Sequence, residues 1–154
     1  MPRKVNIAPV FSLSVQYAVA EKKCPTRAQF RRWVKAGLQQ SANITLRIVD
    51  AAEGRALNAQ FRKKDYSTNV LTFVYDDVSP LSGDIVLCAP VVAAEAKQQK
   101  KNLQAHYAHL ALHGVLHLQG YDHEKNRDAK IMETLEADIM QKLGYANPYQ
   151  DEQQ

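Results

Sequence analysis

The sequence predicts an α/β (α+β) single domain: a small mixed four-stranded sheet flanked by helices, with a metal site on a helix of the C-terminal half and the turn that follows it. Three observations carry that expectation. Four short segments have strand chemistry, with β-branched and aromatic residues at alternating or continuously apolar positions. Stretches of helical periodicity separate the first three and follow the fourth, in the order strand-helix-strand-helix-strand-strand-helices. All five histidines fall between positions 106 and 123. A chain of 154 residues is of one-domain length, so 1–154 is read as one unit with a polar tail after about 145.

VFSLSVQYA (10–18) alternates at period two and reads as the first strand. Thr26 follows Pro25 and suits the N-cap of a helix that carries Phe30, Trp33, Val34 and Leu38 on one side. NITLRIVD (43–50) is the second strand, with Ile44, Leu46 and Ile48 sharing a face. Asp50, three residues before Glu53, resembles a capping box and opens a helix with Leu57 and Phe61 one turn apart. STNVLTFVYDD (67–77) is the third strand, and GDIVLCAP (83–90), almost continuously apolar, is a buried fourth. From Val91 onward the pattern is helical, and the tail after Gly144 is expected to fray.

Composition narrows the class. Hydrophobic residues at 45% and charged residues at 23% are ordinary globular values. No apolar run approaches the roughly 18 residues of a spanning helix. Arg3 and Lys4 resemble a signal n-region, but the polar-apolar alternation after them fits a strand better. Cys24 and Cys88 are far apart and form no CxxC pair, which fits free, buried thiols in a reducing cytoplasm. A net charge of +4, with basic clusters at 31–32, 62–64 and 97–101, permits a polyanionic partner without requiring one.

HGVLHLQGYDH (113–123) carries the chemistry. His113 and His117 stand four apart in an apolar helical context, so both imidazoles reach from one helix face. Gly120 can end the helix in a left-handed conformation, and the reversing chain returns His123 toward the pair. Three nitrogens with a position left open describe a catalytic rather than a structural zinc site, though Ni, Co, Cu or Fe also suits such ligands. Asp122 or Glu124 is placed to orient a ligand's second ring nitrogen, with Asp122 preferred; a turn-capping role for Asp122 fits equally well. His109, one turn before His113, is a candidate neighbour of the site, while His106 reads as a partly exposed helix histidine.

The spacing matches the metzincin peptidase pattern H-E-x-x-H-x-x-G-x-x-H, except that Gly114 stands where the peptidase has its general-base glutamate. A metal can lower the pKa of bound water to about 7 without a strong side-chain base. Cations also stabilise charge on phosphoryl oxygens. A metal with a nearby arginine and no carboxylate base therefore favours phosphate chemistry. Arg62, at the end of a helix leading into the third strand, is the candidate arginine.

These residues closely resemble the YbeY family of bacterial metal-dependent endoribonucleases, which are implicated in ribosomal RNA maturation. HGVLHLQGYDH resembles the family signature. LNAQFRKKDYSTNVLTF (57–73), GDIVLC (83–88), VVAAEA (91–96) and GYANPY (144–149) extend the resemblance from about Val5 to Tyr149. It implies that His113, His117 and His123 bind one zinc ion and that Arg62 is the functional, catalytic arginine. It further implies a metal helix beneath a small mixed sheet and a basic cleft facing RNA. The implied substrate is single-stranded RNA, notably the 3′-end region of small-subunit ribosomal RNA in late maturation and quality control, with the ribosome or its proteins as partners and no membrane. Departures are small: Ser67 stands where proline is common, and Thr72-Phe73-Val74 replaces the usual Ser-Phe-Pro run. Two other readings compete. One is a metallopeptidase, disfavoured by Gly114; the other is a ribosome-assembly or RNA-binding factor without enzymatic activity, whose metal is structural.

Overall fold

The computed structural model describes residues 10–20, 23–63, 68–76, 78 and 80–149. The expectations attached to Arg3, Lys4, Lys64, Ser67, Asp77 and the tail beyond 149 lie outside them.

Strand β1 (Phe11–Tyr17) leads to α1 (Arg27–Gly37), which opens with a full capping box. Thr26 Oγ1 accepts from the Gln29 N–H at 3.2 Å, and Gln29 Oε1 accepts from the Thr26 N–H at 2.8 Å. Strand β2 (Ala42–Val49) stops one residue short of Asp50, which caps α2 (Ala51–Arg62) through the Glu53 N–H at 2.8 Å. Glu53 does not return the cap. Its carboxylate takes both Arg47 Nε at 2.6 Å and Nη2 at 2.9 Å. Strand β3 (Val70–Asp76) is shorter than expected. β4 (Leu81–Cys88) starts earlier and ends earlier than expected, because Ala89 and Pro90 open α3 (Ala89–Gln98). Proline is well suited to a first helical turn, where its missing N–H has no partner to lose. Helices α4 (Leu103–Leu118) and α5 (Asn126–Lys142) complete the order.

The sheet order is β1-β2-β4-β3, with β1, β2 and β4 parallel and β3 antiparallel to β4. This is the expected mixed four-stranded sheet, with five helices among the described residues. Its main core lies between the sheet and α4, where Ile44, Leu46, Ile85 and Leu87 meet Leu112, Val115 and Leu116, with Phe30, Trp33 and Val34 of α1 closing one side. A smaller cluster of Val49, Leu71, Val86 and Cys88 fills the opposite face under Leu57 of α2 and Val91 of α3. Helix α4 is buried on most sides and touches α1, α3, α5, β3 and β4, so its apolar character all round follows from its central position. Cys88 is buried and Cys24 half-buried. Among the described residues, no helix is long and apolar enough to cross a membrane.

The segment expected to fray after Gly144 is docked as far as Tyr149. Tyr145 packs edge-on to Trp33 with centroids 6.4 Å apart, Lys101 Nζ donates to the Pro148 carbonyl at 3.3 Å, and the Tyr149 hydroxyl reaches Glu136 inside the core.

Candidate metal centre

The end of α4 shapes the centre. Gly120 adopts φ +99°, the left-handed conformation that favours glycine. Its N–H donates to the His117 carbonyl at 3.1 Å, while the Tyr121 N–H donates to the Leu116 carbonyl at 3.2 Å, which together make a Schellman stop. The chain turns back, and His123 arrives opposite the helix pair. Its ring centroid lies 5.2 Å from that of His113 and 5.9 Å from that of His117. The His113 and His117 rings stack 6.2 Å apart, with 5° between their planes. The three histidines named by spacing therefore line one cleft together.

Their ring nitrogens are already sorted. His117 Nδ1 lies 2.9 Å from the Tyr121 carbonyl oxygen, an atom that can only accept, so Nδ1 carries the proton and Nε2 keeps its lone pair. His113 Nδ1 lies 2.5 Å from Glu136 Oε1, with the same consequence. Glu136, on α5, has no solvent exposure (0%). Its other oxygen accepts from His109 Nε2 at 3.2 Å and from the Tyr149 hydroxyl. Burial works to raise the Glu136 carboxyl, but the hydrogen bonds from His109 and His113 prevail and pull it down to about 2. The buried group is thus a carboxylate that fixes one imidazole directly and meets a second on its far side. His117 is pushed below its ordinary 6.5, first by burial and then by the neighbouring His113 and His123, against the Tyr121 carbonyl. A neutral imidazole is the form that ligates a cation.

Asp122 turns out to do the turn-capping work. Its Oδ1 accepts from the His123 N–H at 2.7 Å and the Glu124 N–H at 3.2 Å, and the first of these holds its carboxyl below the ordinary range. The carboxylate also enters the circle of candidate ligands, because His117, Asp122 and His123 each offer an atom within 4.8 Å of the others. The structure gives the ring-orienting part to Glu136 and the Tyr121 carbonyl. His109 stands behind the site and reaches it through Glu136. His106 departs from expectation: it is only 5% exposed and bonds Glu95 Oε1 at 3.0 Å.

The donors fit a transition metal. Two imidazoles have Nδ1 engaged from behind and Nε2 unprotonated, and a third ring and a carboxylate close the circle. This donor set lines a cleft of about 350 Å³ whose other wall is Asn58 and Arg62 of α2 and Asn69 to Thr72 around the start of β3. Arg62, the last residue of α2, is anchored by Nη2 donating to the Thr72 carbonyl at 3.2 Å. Sequence reasoning missed Asn58 and Glu136, although both carry a signal. Asn58 is buried one helical turn after buried Gly54 and one before Arg62, and Glu136 stands between buried Met132 and Met140 at helical spacing. A polar residue on an otherwise buried stripe requires a partner inside.

Gly114 has a different meaning in three dimensions. It faces the sheet, where an added Cβ would lie 3.0 Å from Ile85 Cγ2. The position lets α4 approach β4 closely and turns away from the His113 and His117 face, so no side chain there reaches the cleft.

The Endoribonuclease YbeY family profile matches residues 16–144. A Nitrosomonas europaea protein named Endoribonuclease YbeY is 58% identical over 137 residues, covering 89% of this chain and 84% of its own. The Thiobacillus denitrificans protein of the same name is 54% identical over 145 residues, covering 93% and 99%. A solution structure of a Thermotoga maritima protein superposes with a TM-score of 0.60 at 26% identity, covering 84% of this chain and 87% of that one. By sequence, the chain belongs to the YbeY family of endoribonucleases.

Proposed function

We propose that this protein is a zinc-type, metal-dependent endoribonuclease specific for single-stranded RNA, held by His113, His117 and His123 at the metal and by Arg62 at the phosphate. The observation that carries the reading is the facing of the two walls: imidazoles with fixed tautomers on one side of the cleft and an anchored guanidinium on the other.

When bound, the metal supplies Lewis-acid polarisation of a phosphoryl oxygen and activation of water near neutral pH. The chain's own groups supply the rest. His113, His117 and His123 would hold the ion, and Asp122 closes the turn that carries His123. Glu136 keeps the His113 proton on Nδ1, away from the ion. Arg62 offers a planar, permanently charged set of donors that suits two phosphate oxygens, and its bond to Thr72 orients it before substrate arrives. Asn58 and Asn69 line the same wall, and the Asn69 amide is held there by donating to the Glu95 carboxylate at 3.1 and 3.3 Å. The family resemblance supports the narrower assignment to 3′-end maturation of small-subunit ribosomal RNA and late ribosome quality control in the cytoplasm, with ribosomal components as partners.

The test is RNA cleavage by matched wild-type and Arg62→Ala preparations, with metal content measured in both. The expected result is equal metal and a 100- to 1,000-fold fall in cleavage, on the order seen when a group that stabilises transition-state charge is lost. Equal cleavage by the two preparations overturns the reading. Intact RNA with wild-type protein, together with unfolding on chelation, would instead favour a structural metal.

A further inference from the structure

We infer that Phe61, Phe73 and Tyr75 form an aromatic ledge on which bases of the single-stranded substrate stack as the strand leaves the cleft. The inference rests on the nuclease reading and adds where the substrate runs.

Six large hydrophobic side chains are strongly exposed among the described residues, and four of them, Phe61, Val74, Tyr75 and Val78, belong to the end of α2, to β3 and to the loop after it. Monomeric proteins rarely leave such groups clustered without a binding purpose. The local fold explains the exposure. Leu71, Phe73 and Tyr75 alternate onto one face of β3, and Leu71 is buried beneath α2. Helix α2 ends at Arg62, with Lys63 left-handed at its cap, so its cover stops at Phe61. Among the described residues, β3 is an edge strand with no further strand beside it.

The ledge is pre-ordered and continuous with the cleft. Phe61, 54% exposed, meets Phe73 edge-on at 5.1 Å. Tyr75, 68% exposed, has its hydroxyl tied to Asp84 Oδ2 at 2.7 Å, so its ring is held at one end and open on its face. The immediate chain neighbours of the two phenylalanines are Arg62 and Thr72, which are hydrogen-bonded to each other and line the cleft. A phosphate at Arg62 therefore has the exposed Phe61 ring one residue away on α2, backed by the half-buried Phe73 ring next to Thr72 on β3. Bases stack on such rings with little regard to sequence, because every base has a π-face. This matches a nuclease that selects single strands, since paired bases cannot present their faces.

The experiment measures binding and cleavage of a single-stranded RNA oligonucleotide by wild type, Phe61→Ala, Phe61→Leu and Phe61→Tyr. A parallel set of oligonucleotides carries one abasic position each. Phe61 is exposed, so the variants should keep the wild-type melting temperature, which is checked first. Phe61→Ala and Phe61→Leu should raise KM roughly 5- to 150-fold with kcat nearly unchanged, and Phe61→Tyr should retain wild-type KM. For wild type, one abasic position beside the cleaved bond should weaken binding by a similar factor, and Phe61→Ala should abolish that position's penalty. Wild-type KM in Phe61→Ala, or an identical abasic profile in both proteins, overturns the ledge while leaving the nuclease intact. A wild-type dimer that Phe61→Ala dissociates overturns it too, because the patch would then join copies of the chain. Base-dependent binding without any cleavage would sink the nuclease reading and keep the ledge.

Discussion

Glu136→Gln tests the centre where it is most tightly built. The substitution keeps size and shape and removes one charge. In the wild-type protein, Oε1 takes the His113 Nδ1 proton at 2.5 Å, and Oε2 takes His109 at 3.2 Å together with the Tyr149 hydroxyl. A carboxylate accepts on both sides, whereas an amide accepts on one side and donates on the other. If the glutamine carbonyl faces His113, its NH₂ meets the donors Tyr149 and His109; reversed, it opposes the His113 N–H and pushes that proton to Nε2, where the metal needs a lone pair. Replacing a charged acceptor by a neutral one gives up about half of a bond worth roughly 1.5–3 kcal/mol, so the metal-free protein should lose about 0.75–1.5 kcal/mol. Loss of the partner that orients a ligating imidazole typically costs 10- to 100-fold in metal affinity, or about 1.4–2.7 kcal/mol. The assay is competition against a chromophoric zinc chelator at constant pH, with urea unfolding of the metal-free protein alongside. His109→Gln serves as the comparison and should move affinity less, because it touches only the far oxygen. A folded Glu136→Gln protein with wild-type zinc affinity would refute the reasoning and remove His113 from the ligand set.

Substitutions at three further positions probe separate parts of the structure. Gly114→Glu should destabilise by more than about 3 kcal/mol, since it forces a carboxylate against Ile85, and it should confer no peptide hydrolysis; a stable variant with peptidase activity would contradict the packing account. Gly114→Ala should cost less, about 1 kcal/mol after the helix-propensity gain, read from thermal melting. Gly120→Ala meets nothing within 4 Å, so only its left-handed backbone is penalised, by about 1 kcal/mol, and the loss should appear as weaker metal binding as the turn carrying His123 loosens. His106 carries a pH signature. Burial lowers its pKa from 6.5 against the pull of Glu95, so the unfolded chain takes up the proton first. The stability His106 supports is therefore complete above about 6.5 and is lost as pH falls below it toward the folded value. Urea unfolding of metal-free protein at pH 7.5, 6.5 and 5.5 should show a steeper loss for wild type than for His106→Gln, and parallel curves would exclude the effect.

The parts of the site that lie within one short segment were readable from spacing alone. His113, His117, Gly120 and His123 sit in one helix end and its turn, where periodicity and a left-handed glycine dictate the geometry. Arg62 was recognisable from its position at a helix end and from the family resemblance, and the structure puts it on the opposite cleft wall. What escaped depends on distant packing. Glu136 reaches His113 only because α5 lies against α4, a pairing that local pattern does not encode. Gly114 shows a complementary limit: the sequence reveals a missing side chain but not its direction, and here the direction is toward Ile85. The strand boundaries moved for local reasons. Asp50 became a cap, and Ala89 and Pro90 joined a helix, because Asp and Pro each fit a helix start better than a strand end. His106, expected at the surface, is buried because α4 is enclosed on nearly all sides.

The two walls of the cleft have separate origins in the chain. Among the described residues, the histidine wall and the groups that steady it come from α4, its turn, α5 and Tyr149, whereas Asn58, Arg62, Phe61 and Phe73 come from α2 and β3. Metal affinity and substrate preference can therefore drift independently, since a change on one wall need not be answered on the other. Only the gap between the walls must be kept, and the buried sheet maintains it: β3 carries the Thr72 carbonyl that anchors Arg62, and β4, paired to β3, carries Ile85 beneath α4. A cavity-forming change at Ile85, remote from any reacting atom, would shift the metal relative to the arginine and so act as a spacing mutation.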